Sequence, residues 1–105
     1  MNIIIFLGQK FVENESEADL LVNKLLCPRI VSLRADLKEN DNIDLPLIRI
    51  KDSAQSVNSE QISEKEIAIE CDGKIKWKQD FSLHSFENIV DAIIINLKSV
   101  ARHNC

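Results

Sequence analysis

The groups in this 105-residue chain that could do chemistry are three cysteines, two histidines and 17 Asp/Glu side chains. The most suggestive stretch is "ECDGKIKWK", Glu70 to Lys78, where Cys71 sits one turn from Lys74. A neighbouring lysine lowers a thiol pKa, but Glu70 and Asp72 flank Cys71 and act the other way. Cys27 stands next to Pro28 at the expected end of a helix, where the dipole disfavours a thiolate, so it is expected to be a buried structural thiol. Cys105 is terminal. Three widely spaced cysteines with no CxxC pattern make neither a zinc signature nor a disulfide framework. His84 and His103 flank the last expected helix, and "HNC" at 103–105 offers too few ligands to hold a metal.

Residues 35–44, "ADLKENDNID", are polar and acidic. Asp36, Glu39, Asp41 and Asp44 lie there without calcium-loop spacing and without a glycine to turn such a loop. They are expected to form a solvated acidic loop, and are the residues assigned to binding a basic partner. "KIKWK" could hold phosphates and stack a base. Alternation along a strand puts Trp77 on the face opposite Lys74, Lys76 and Lys78, so the two contacts would not share a surface. Lysines on an edge strand that deter sheet-to-sheet association explain the stripe with fewer assumptions.

No G-x-G-x-x-G, P-loop or G-x-S-x-G sequence occurs, so no cofactor and no enzymatic activity are expected. The net charge of −4 disfavours non-specific binding to nucleic acid or anionic membrane and suits a basic protein. The charge is uneven: residues 1–72 carry 14 Asp/Glu against 8 Lys/Arg, and residues 73–105 carry 3 against 5. The apolar runs "IIIFL" and "AIII" are far shorter than the roughly 20 residues of a membrane span. The start "MNIIIFLGQKF" has no basic n-region, and a cytoplasmic location is expected.

The elements that must position these groups follow from periodicity. With 45% hydrophobic residues and only two glycines and two prolines, one domain over 1–105 built of regular elements is expected. "NIIIFL" at 2–7 is apolar at nearly every position, as in a strand covered on both faces. Asn14 with Glu17 fits a capping box, and Ala18, Leu21, Val22 and Leu25 form one helical face. Cys27-Pro28 is expected to stop that helix. "RIVSLR" at 29–34 and "LPLIRIKD" at 45–52 are expected strands, with Pro46 near the start of the latter. Within 52–65 a short surface helix around 58–65 is expected.

For the hairpin, a three-residue loop at Cys71-Asp72-Gly73 pairs Glu70 with Lys74, Ile69 with Ile75, Ile67 with Trp77 and Glu66 with Lys78. A two-residue loop sets lysines among isoleucines, so the longer loop is expected. From Ser85 onward Phe86, Ile89, Val90, Ile93, Ile94, Leu97 and Val100 form a wide apolar face. The expected fold is α/β, or α+β: a mixed sheet of about five strands packed by two main helices in the order β-α-β-β-(α)-β-β-α.

Strand–helix–strand followed by a DG-turned hairpin and a closing amphipathic helix resembles the thioredoxin and glutaredoxin superfamily. "EIAIECDGKIKWKQDF" leads into "SFENIVDAIIINL" as that family's last hairpin leads into its last helix. The resemblance implies the family's frame over most of the chain. It does not carry the family's redox chemistry: "GQKFVENESEAD" has no cysteine where CxxC or CxxS would open the first helix. Ser63-Glu64-Lys65 stands where the cis-proline would precede the hairpin, and Pro46 comes an element too early. The expected function is therefore a non-enzymatic protein-binding module, an acidic inhibitor or immunity-type protein masking a basic toxin or nuclease. A thioredoxin-like enzyme or degenerate redox-fold protein, and a generic adaptor or assembly protein, are the alternatives.

Overall fold

The computed structural model describes residues 1–103. It is a mixed α/β fold with two long helical stretches on a four-stranded sheet. The strands are β1 (Ile3–Leu7), β2 (Arg49–Asp52), β3 (Glu66–Cys71) and β4 (Lys74–Asp80), in the spatial order β2-β1-β3-β4. β1 runs parallel to β2 and antiparallel to β3, and β3 and β4 form an antiparallel hairpin. Odd-numbered residues of β1 and β3 (Ile3, Ile5 and Leu7, Ile67, Ile69 and Cys71) point into the main core. Even-numbered Phe6 and Ala68 meet Ile62 in a smaller core on the opposite face.

Four strands form, not five, because residues 29–34 are helical. One continuous helical rod covers 15–41 in three segments: α1 (Glu15–Asp19), a π-helical stretch (Leu20–Leu26) and α2 (Cys27–Asp41). Asn14 caps the start, its side chain accepting from the Glu17 N–H at 3.0 Å. Pro28 does not end the rod. The Cys27 N–H reaches back five residues to Val22, so the hydrogen-bond frame changes just before the proline. Pro28 then sits in the first turn of the new frame, where its missing N–H is least felt. The π turns also keep Leu21 and Leu26, five residues apart, both fully buried. Beyond them Ile30, Leu33 and Leu37 continue the buried face at ordinary spacing. The rod stops at Asn42, which takes the left-handed conformation (φ 53°) while the Ile43 N–H closes back on the Leu37 carbonyl at 3.0 Å.

α3 (Phe86–Arg102) is capped by Ser85 and buries Ile89, Val90, Ile93, Leu97, Val100 and Ala101, as its periodicity foretold. Instead of a helix, residues 52–65 contain two single 3₁₀ turns, Ser53–Gln55 and Ser59–Gln61. They lie under the small core, to which Ile62 contributes.

The hairpin register differs from the expected one. Asp72 and Gly73 both take positive φ (52° and 83°) and form a two-residue turn, so Cys71 pairs with Lys74 and Glu70 with Ile75. A bulge then shifts the ladder between Ile69 and Glu70, and Ile69 faces Trp77. The extra residue on β4 resolves the clash that a regular two-residue hairpin would create. Ile75 joins the small core on one face, and Trp77 packs on the main core on the other.

Two positions carry much of this arrangement. Gly8 has an ordinary φ of −58°, so space and not conformation demands glycine there. A Cβ would lie 2.4 Å from the Glu64 carbonyl oxygen and 2.6 Å from that of Glu66, both backbone atoms. Gly8→Ala is expected to lower stability by about 1–3 kcal/mol, read as a lower urea midpoint at unchanged slope. Glu70, 3% exposed, lies on the small-core face and accepts from the Ser56 hydroxyl, which in turn accepts the Asn58 N–H at 2.9 Å. Ser56→Ala leaves a buried carboxyl without that donor and is expected to cost about 1–3 kcal/mol in the same measurement. A loss within error would show that Glu70 is satisfied without Ser56.

Candidate functional site

The four acidic residues assigned to partner binding do not form a loop. Asp36, Glu39 and Asp41 lie on α2, and Asp44 follows its cap. Asp36 meets Lys98 at 3.0 Å and Asp41 meets Arg102 at 3.0 Å, both on α3. Arg29–Asp91 at 2.8 Å is a third pair across the same seam. The partners are 62, 62 and 61 residues apart in sequence, so position rises together on both helices and they run parallel. The three pairs form a ladder along the α2–α3 seam, beside buried Leu33, Leu37, Ile93 and Leu97. Asp44 pairs with Lys38 at 3.0 Å. Of the four, Glu39 alone has no ion pair among the described residues.

Acids without an ion pair gather elsewhere. Glu13, Glu15, Glu17 and Asp19 are exposed around the start of α1 and make none among the described residues. There they oppose the positive end of the helix dipole. Because α1–α2 and α3 are parallel, the start of α3 lies at the same end. Glu17 lines a small hollow with Phe86 and His84. Glu87 and Asp91 line a cleft of about 410 Å³ with Lys24 and Arg29. Asp91 is neutralised there by Arg29, and Lys10 and Lys24 also line these hollows, so the acids of this end without an ion pair among the described residues are Glu13, Glu15, Glu17, Asp19 and Glu87. The signal was in the sequence as "ENESEAD", where helix capping seemed explanation enough.

The remaining groups are dispersed. Cys71 is 1% exposed and disulfide-bonded, so it is not the exposed turn thiol that its neighbours suggested. Cys27 is a free, half-buried thiol inside the helical rod, not at a helix end. His84 stacks edge-on to Phe81, ring centroids 5.2 Å apart, while His103 closes on the Ser99 carbonyl at 2.7 Å. They flank the 17 residues of α3 and so stand roughly 25 Å apart. Among the described residues no three His, Cys, Asp or Glu side chains cluster as a metal site, and Cys105 lies outside them. The lysines of "KIKWK" do not share a face either. Lys74 pairs with Cys71, on the main-core side, and Lys76 lines a hollow with Ser99 and Val100. Lys78, opposite Ala68, donates to the Gln61 carbonyl at 2.6 Å. No helix among the described residues is long and apolar enough to cross a membrane.

After β1 the chain makes a 3₁₀ turn, Gln9–Phe11. Its backbone is tied to the segment before β3 by Gly8 N–H to Glu66 O (2.8 Å) and Lys10 N–H to Glu64 O (3.0 Å). Lys10 also donates to the Ser82 carbonyl at 3.2 Å, joining this turn to the loop before α3.

The Asp36–Lys98 pair makes stability depend on pH. The Lys98 ammonium hydrogen-bonded to Asp36, and then the Asn40 amide, hold its carboxyl below the ordinary 3.8. A carboxyl depressed on folding contributes stability that is fully present above its unfolded value and is lost as pH falls through the folded one. Asp36→Asn is therefore expected to lower the thermal midpoint at neutral pH, with the difference from wild type shrinking as pH falls below 3.8. A difference independent of pH would remove the ion pair from the account.

No protein-family model matches the chain, and no curated protein matches it either.

Proposed function

We propose that this chain is a non-enzymatic protein-binding module, of the acidic inhibitor or immunity type, that engages a basic protein such as a toxin or nuclease. The observation that carries the reading is the partition of its acids. Asp36, Asp41 and Asp44 are matched by cations of the same chain, whereas Glu13, Glu15, Glu17 and Asp19 stand together with no ion pair among the described residues. Unmatched charge gathered at one end steers and orients an oppositely charged partner, and acts mainly on the rate of encounter.

The contact surface is thus the α1 end, with Glu39 as the one outlying member of the original set. The parallel β1–β2 pair, the β3–β4 hairpin and the closing α3 support a thioredoxin-like frame used here as a scaffold. A fold of this kind carries no function by itself.

Affinity capture from the native host at low and high salt tests the reading. Wild type is expected to retain a basic protein at low salt and release it at high salt. The triple variant Glu13→Gln, Glu15→Gln, Glu17→Gln should lose it, and Asp44→Asn should keep it. Retention by the triple variant, or recovery of acidic proteins only, counts against the proposal.

A further inference from the structure

β2 is an outer strand of the sheet, hydrogen-bonded to β1 on one side and, among the described residues, without a strand neighbour on the other. Its two faces differ in chemistry. Ile48 and Ile50 pack half-buried against the main core on the helix side. Arg49 and Lys51 stand opposite Ile4 and Phe6 of β1, on the small-core side. Neither cation has an ion pair among the described residues. Beside the strand on the helix side runs a shallow groove lined by Cys27, Ile30, Val31, Leu47 and Ile48. Within it Leu47 is 77% exposed and Val31 63% exposed. Arg34 fixes the approach to the strand by donating to the Leu45 and Pro46 carbonyls at 3.3 and 2.9 Å.

We propose that the β2 edge takes up an extended segment of another protein, added as a fifth strand, whose side chains alternate between apolar and acidic. An added strand supplies partners for the outward N–H and C=O groups of β2. Its residues on the helix side cover Leu47 and Val31, and those on the other side place carboxylates over Arg49 and Lys51. Charge selects this occupant over a second copy of the chain. An antiparallel second β2 centred on Ile50 sets Arg49 of each strand against Lys51 of the other, and like charges directly opposite are destabilising. The other sheet edge is less suited: β4 is bulged, and Lys78 is tied back to Gln61. This surface is separate from the acidic α1 end and of opposite sign, so the two readings stand or fall independently.

An amide NMR titration of the full chain tests it with two peptides of about eight residues, one alternating valine with glutamate and one alternating valine with lysine. The glutamate peptide is expected to give saturable shifts centred on residues 47–52, weakened by salt, and to bind about tenfold more tightly than the lysine peptide. Arg49→Glu with Lys51→Glu should weaken it by about tenfold as well. Leu47→Asp, at an exposed position that the fold does not depend on, is a second variant with the same expected direction. Absence of binding, equal binding of the two peptides, or shifts centred elsewhere would overturn the proposal. Concentration-dependent shifts of the same amides without peptide would also overturn it, in favour of self-association.

Discussion

β1 has no polar face, and the rest of the molecule is arranged to cover it. Its odd residues are sealed by the two helical stretches, and its even residue Phe6 by a thinner layer from residues 53–62. β1 is paired on both sides, with β3 along its whole length and with β2 from Ile4 to Leu7. The parallel neighbour β2 requires a crossover, and the crossover is the 15–41 rod. The antiparallel neighbour β3 requires the chain to return past the end of β1. That return is so close at Gly8 that a single methyl group has no room.

The parallel setting of the two helices decides where charge can be neutralised. Parallel helices place equal heights of α2 and α3 side by side, and the sequence puts opposite charges at three of those heights. Exposed pairs of this kind contribute little each and are screened by salt. Their larger consequence is to withdraw Asp36 and Asp41 from the surface field. The same parallel setting brings both helix starts to one end, where acidic side chains favour the dipoles and Glu13, Glu15, Glu17 and Asp19 make no ion pair among the described residues. The acids of residues 1–72 are therefore sorted by packing into a neutralised seam and the group at 13–19 without ion pairs among the described residues.

Much of this was legible in the residues, and the failures have definite physical causes. The two-face burial of β1, the Asn14 cap, the apolar face of α3 and the inward side of β3 all follow from period and composition. Residues 29–34 read locally as a strand because Ile30 and Val31 favour strands and Pro28 ordinarily ends a helix. Against those two local signals stood Leu26, Ile30, Leu33 and Leu37 at helical spacing, and the π turns let that tertiary pattern prevail. The hairpin departs from the expected three-residue loop because the bulge falls inside the ladder, between Ile69 and Glu70, and not at the turn. A bulge changes the face of every residue after it, so Ile75 and Trp77 need not share one. Glu70 shows the limit of alternation: period two says which residues share a face, but not whether that face meets water. In this chain the covering layer is a polar segment with few apolar residues, and its contribution comes through Ile62 and the Ser56 hydroxyl.

The two edges of the sheet show what selection against association looks like when it is applied unevenly. β4 carries three lysines, a bulge and a tether to the 59–61 turn, all of which disfavour an added strand. β2 carries cations on one face only. Its other face continues into exposed apolar side chains, and Arg34 holds the preceding carbonyls so that the strand meets solvent in extended form. Lysine and arginine on an edge reject a like-charged strand, but to an acidic strand they are an attraction. An edge protected by charge alone is therefore selective, whereas an edge protected by a bulge is closed to partners of either sign.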